Sequence, residues 1–98
     1  MAFRNLLQAD GGAVRTLTVN RPVKLNALNR ETLAELHLAF DQARSDEAIR
    51  VVILTGAGPK AFVAGADIAE LAAQSPIGAL ETSRFGQALM TKVERLGK

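Results

Sequence analysis

Ile49-Arg50-Val51-Val52-Ile53-Leu54-Thr55, closed at once by Gly56-Ala57-Gly58-Pro59, is the stretch on which the fold turns. A short continuous apolar run ended by glycine and proline reads as a strand, and the lack of alternation predicts burial on both faces in a largely parallel sheet. Upstream, Leu33, Leu36, Phe40 and Ala43 recur at steps of three and four, which predicts a helix from about Arg30 to Arg44. Asn29 is its expected N-cap, with Glu31 in the favourable first turn. Further upstream, Phe3–Ala9 and Ala13–Asn20 flank Asp10-Gly11-Gly12 and read as a hairpin, after which Pro22 opens a loop.

Downstream of the run, Ala64-Gly65-Ala66 is a turn of small residues. Asp67 followed by Glu70 has the spacing of a capping box, so a short helix should follow. Pro76 suits the first turn of another helix, whose apolar positions Leu80, Phe85, Ala88, Leu89, Val93 and Leu96 form the expected buried stripe. The order of elements is that of an α/β chain: a hairpin, then strands and covering helices. Such a series returns to a further parallel strand to close its sheet, and none follows before Lys98, which predicts a truncated domain over residues 1–98.

Composition narrows the function. Apolar residues make up 48% and charged residues 22%, which is ordinary for a packing globular chain. Twelve basic residues against ten acidic give a net charge of +2, spread without a basic block, and there is no Trp or Tyr. Nucleic acid is therefore an unexpected partner. The absence of cysteine excludes a disulfide framework, a thiolate metal site and a cysteine nucleophile. Val51–Leu54 is far too short to span a membrane, and the expectation is a soluble cytoplasmic protein.

Two glycine turns compete as ligand sites. Gly56-Ala57-Gly58-Pro59-Lys60-Ala61 fits G-x-G-x-x-A after a strand, the dinucleotide pattern. Pro59 removes an amide, Phe62-Val63-Ala64-Gly65 stands where a helix must begin, and Glu81 is a poor acidic partner, so an ordinary loop is expected. At the second turn, Gly65 lets the backbone approach a ligand, and the Ala66 amide at a helix entrance could receive an oxyanion. On spacing alone, a tight turn leading into a capped helix accounts for the same residues.

Four blocks carry a family resemblance: Val19-Asn20-Arg21-Pro22, Leu25-Asn26-Ala27-Leu28, Val51-Val52-Ile53-Leu54-Thr55-Gly56, and Lys60-Ala61-Phe62-Val63-Ala64-Gly65-Ala66-Asp67-Ile68. In order and spacing they resemble the amino-terminal signatures of the crotonase family, the enoyl-CoA hydratase/isomerase superfamily, whose domain is more than twice as long. The resemblance implies the amino-terminal part of the crotonase ββα spiral fold. It implies a site in which Ala64, Gly65, Ala66, Asp67 and Ile68 meet the CoA thioester and adenine, with the Ala66 amide as half of the oxyanion hole. Val23, Lys24 and Leu25 fall where the family lines its CoA channel; Lys24 would meet a CoA phosphate or remain a solvated loop charge. Many members carry lysine where this chain has Ala69.

By the same resemblance the activity is addition of water to a 2-trans-enoyl-CoA, as in fatty-acid β-oxidation, with an isomerase, another acyl-CoA enzyme or a non-catalytic fragment as alternatives. No cofactor is expected beyond the coenzyme A of the substrate, and no metal. The resemblance also implies a homotrimer or hexamer for the complete protein. Phe85 and Leu89 fall on the helix resembling the acyl-pocket wall, although core packing explains them equally. The second oxyanion amide and the paired glutamates belong beyond Lys98, so the 98 residues alone are expected to be inactive and prone to associate. Glu70 is read as a cap in preference to an acid or base, and His37 as a surface or boundary residue.

Overall fold

The computed structural model describes residues 3–98. Strands β1 (Leu6–Gly11) and β2 (Val14–Val19) pair antiparallel, with Leu6 opposite Val19 and Gly11 opposite Val14. The turn is therefore Gly12-Ala13, one step later than expected. Gly12 takes φ +59°, the conformation that a two-residue hairpin demands and glycine accepts without strain. Asp10, expected in the turn, belongs to β1 and accepts both arms of the Arg15 guanidinium at 2.8 and 2.9 Å. Arg15 also reaches Asp46 at 3.1 Å, tying the hairpin to the end of the following helix.

Helix α1 (Arg30–Ser45) starts where expected: the Asn29 side chain accepts the Thr32 amide at 2.9 Å. Of its apolar face, Leu33, Leu36, Ala39 and Phe40 share a core with Leu6, Leu17 and Val19 of the hairpin, and Ala43 is buried further along. Strand β3 (Val51–Gly56) then pairs parallel with β2, so the sheet is mixed, in the order β1-β2-β3, and not largely parallel.

The expected two-sided burial of β3 is not found. Val51 and Ile53 are each 47% exposed, while Val52 and Leu54 pack toward the core. Among the described residues the helices cover one face of the sheet, so alternate residues of an uninterrupted apolar run face outward. Ile49 lies before the strand and is buried in the connection.

Two more helices complete the chain: α2 (Ile68–Ala72) and α3 (Pro76–Glu94), the latter capped by Ser75, whose hydroxyl accepts the Gly78 amide at 3.0 Å. Helix α3 packs on α1 through Leu89 and, just beyond its end, Leu96, with Phe85 and Val93 half-buried beside them. Phe85, Leu89, Val93 and Leu96 of the expected buried stripe are thus covered within the chain. Leu80 is 50% exposed and Ala88 also faces outward; Thr82 is buried instead, accepting the Gln74 amide at 3.0 Å. Lys92 pairs with Asp41 across the helix contact at 2.9 Å. Among the described residues no helix is long and apolar enough to cross a membrane.

Candidate active site

The loop between β2 and α1 builds the site. Pro22–Lys24 form one turn of 3-10 helix, and Leu25 and Asn26 then take left-handed backbone at φ 54° and 58°. Asparagine tolerates that conformation and leucine rarely adopts it, so the surroundings must hold it. Asn26 does so: 1% exposed, its side chain accepts the Arg21 amide at 2.9 Å and donates to the Ala57 and Ala61 carbonyls at 2.9 and 2.8 Å. One side chain thereby fastens this loop to the one after β3.

On that frame, residues 64–67 pair with residues 25–28. The Ala64 amide donates to Leu25 O, Leu28 N to Gly65 O at 2.7 Å, and Asp67 N to Leu28 O at 2.8 Å. In this parallel bridge of Leu28 with Ala66, the bonds use the groups on either side of Ala66, whose own N–H is turned away and finds no acceptor among the described residues. Gly65 sits at φ +113°, a backbone angle favouring glycine.

Asp67 caps α2 by accepting the Glu70 amide at 3.1 Å, and its other oxygen takes the Arg21 guanidinium at 3.1 Å. Arg21 also donates to the Ala27 carbonyl. The Glu70 amide, then Arg21, and then the charge of Lys24 hold the Asp67 carboxyl below the usual carboxylate range. Glu70 does cap a helix, although not its own: its carboxylate accepts the Arg30 amide at the start of α1, 2.6 Å away.

A cavity of about 430 Å³ opens beside Ala66, walled by Leu28, Leu33, Gly65, Leu71, Gly86 and Met90. Most of the surface it exposes is apolar, and Asp67, Glu70, Thr82, Ser83 and Gln87 also border it. Phe85 and Leu89 are not in it. Phe85 stacks on His37 with ring centroids 4.3 Å apart and lies beneath the Arg30 guanidinium, while Leu89 belongs to the core. Of the two explanations offered for Phe85 and Leu89, core packing is the one found, and on α3 it is Gly86 and Met90 that border the cavity, Gly86 being a glycine inside a helical pattern. His37 is half-buried and bonded to the Phe85 carbonyl, a boundary residue as expected.

The other candidates spread apart. Val23 and Leu25 border a second hollow of about 260 Å³ with Pro59 and Lys60; Val23 is 92% exposed. Lys24 is exposed near Asp67, Ala64 pairs with Leu25, and Ile68 points to solvent at the head of α2. The glycine turn after β3 starts no helix before Ile68, and the Ala57 amide is donated to Val19 O.

An amide without an acceptor among the described residues, beside an apolar cavity and braced by a strand-like pairing, is an arrangement that can receive a carbonyl oxygen. Residues 10–98 match the family model described as enoyl-CoA hydratase/isomerase, and the chain belongs to that family. It is 39% identical over its full length to a short-chain-enoyl-CoA hydratase of Clostridium acetobutylicum and 38% identical to a crotonyl-CoA hydratase of Syntrophomonas wolfei, covering 38% of each protein. An enoyl-CoA hydratase from Bacillus anthracis superposes with a TM-score of 0.92 at 34% identity, over 95% of this chain and 36% of that one. The chain thus spans well under half the length of these relatives.

Proposed function

We propose that this chain forms the thioester-holding part of an enoyl-CoA hydratase, which adds water across the double bond of a 2-trans-enoyl-CoA. The unpaired Ala66 amide carries the reading. A carbonyl oxygen gains negative charge as water adds to the conjugated double bond, and a donor already in place stabilises it without reorganisation. Ala64 to Ile68 hold the thioester, and Val23, Lys24 and Leu25 lie along the path of the CoA moiety, with Lys24 near its phosphates. Proton transfer falls to acids outside these 98 residues, because Glu70 is committed to the Arg30 amide. The reading includes no cofactor beyond the substrate's own coenzyme A, a cytoplasmic setting and a trimeric or hexameric assembly.

Amide NMR of the 15N-labelled chain tests it. Butyryl-CoA should move the Ala66 cross-peak strongly, and the thioether S-butyl-CoA, which lacks the carbonyl, should leave it nearly in place. Equal responses to the two ligands, or none to either, would overturn the assignment.

A further inference from the structure

Asp67 follows Ala66 directly, so a carboxylate stands close to the amide at which the proposed reaction collects negative charge. Consecutive Cα atoms are about 3.8 Å apart. Capping does not explain the charge, since asparagine caps a helix as well as aspartate does. What offsets it is Arg21, which reaches Asp67 from the adjoining loop after β2, with side chains 13% and 14% exposed. Screening by solvent is weak for such a pair, and Arg21 is fixed a second time by the Ala27 carbonyl.

We propose that Arg21 is the charge-balancing positioning residue of the thioester site, neutralising Asp67 so that the oxygen bound at Ala66 can become anionic. This rests on the assignment of Ala66 as the carbonyl-receiving amide. A unit charge roughly 7 Å away at an intermediate dielectric shifts an acid by on the order of one pH unit, a tenfold change in the anionic fraction. The other charges nearby are Lys24 on the loop and Glu70 on the cavity wall; neither is altered below.

Acetoacetyl-CoA reports this directly, because it loses a C2 proton to solvent and the resulting enolate absorbs in the ultraviolet. The intact chain should lower the pH at which bound ligand ionises, relative to ligand free in solution. Arg21→Gln leaves the carboxylate unopposed and should raise that midpoint by about one unit, while Arg21→Lys should keep most of the wild-type value. Asp67→Asn retains the cap and leaves Arg21 unopposed, so it should lower the midpoint further. A pair that served only as scaffold would lose stabilisation in either substitution. A midpoint raised by Asp67→Asn, or unchanged in both variants, overturns the proposal. If Arg21→Gln fails to fold, the sign of the Asp67→Asn shift alone decides. Absence of any shift with the unsubstituted chain counts against the Ala66 site itself, a different failure.

Discussion

The Glu70 carboxylate accepts the backbone amide of Arg30, forty positions away, at 2.6 Å. The acid beside the cavity is thereby a cap for α1, and the junction of α1 with α2 depends on it. Glu70→Gln keeps an acceptor and should cost under about 1 kcal/mol, whereas Glu70→Ala should cost about 1 to 2 kcal/mol, read by urea unfolding. The 98-residue chain should show no turnover of crotonyl-CoA. Activity above background that disappears in Glu70→Gln would make this residue a catalyst after all.

Asn26 and Gly56 meet at the hinge between the two site loops. A Cβ at Gly56 would lie 2.1 Å from Phe62 O, 2.7 Å from Ala61 O and 2.8 Å from Asn26 Nδ2, all but the last being backbone atoms. Gly56→Ala should therefore destabilise by about 3 kcal/mol or more. Asn26→Ala should cost about 3 kcal/mol by stranding three backbone groups, and Asn26→Gly, which relieves only the left-handed backbone, should recover little. Recovery by glycine of most of the lost stability would show that conformation matters here more than hydrogen bonding.

Acid should loosen both ends of this fold. The hydrogen bond from Arg15 holds the Asp10 carboxyl below its ordinary value, as Glu70 N and Arg21 do for Asp67. A carboxyl with a depressed folded pKa contributes stability that is full above its unfolded value, about 4, and is lost as the pH falls through the folded one. Urea midpoints should be level above about pH 5 and fall below about pH 4. The double variant Asp10→Asn/Asp67→Asn should flatten that fall; an unchanged slope would mean that other carboxylates control it.

The outer face of the sheet carries Val51 and Ile53, each 47% exposed, on the edge strand β3, with Val14 of β2 beside Val51. Contiguous apolar surface of this kind drives association. Sedimentation velocity should show concentration-dependent species, and Val51→Lys/Ile53→Lys should suppress them. A single monomer at every concentration would show that the face is tolerated in water.

What the sequence revealed followed from where the determining interactions are local. The α1 boundaries were legible because Asn29 caps Thr32 three residues on and the apolar steps repeat. The exposure of Val51 and Ile53 was not, because an apolar run does not say which faces its neighbours cover. On α3, periodicity could not separate Leu80 from Thr82, since the choice is made by Gln74 and by the His37 stack that draws Phe85 away from the cavity. The reading of Ala66 as a site amide rests on the family resemblance, and its lack of an acceptor beside a cavity is a product of the pairing with Leu28, which no linear reading shows. The partners Arg21 and Asp67 stood in two of the quoted blocks, yet nothing in a linear reading joins residues 46 apart.

Strand β2 has a partner on each side, and the two arrive by routes of unequal length. β1 closes across Gly12-Ala13, while β3 comes back only after the site loop and all of α1. Since the entropy of closure rises with loop length, the antiparallel half should gain protection in quenched-flow hydrogen exchange before the parallel half, unless α1 docks first and carries β3 with it, which simultaneous protection would reveal. The loops that border the cavity hang from the later pairing, so on that order a nascent chain should acquire its hairpin early and its cavity last.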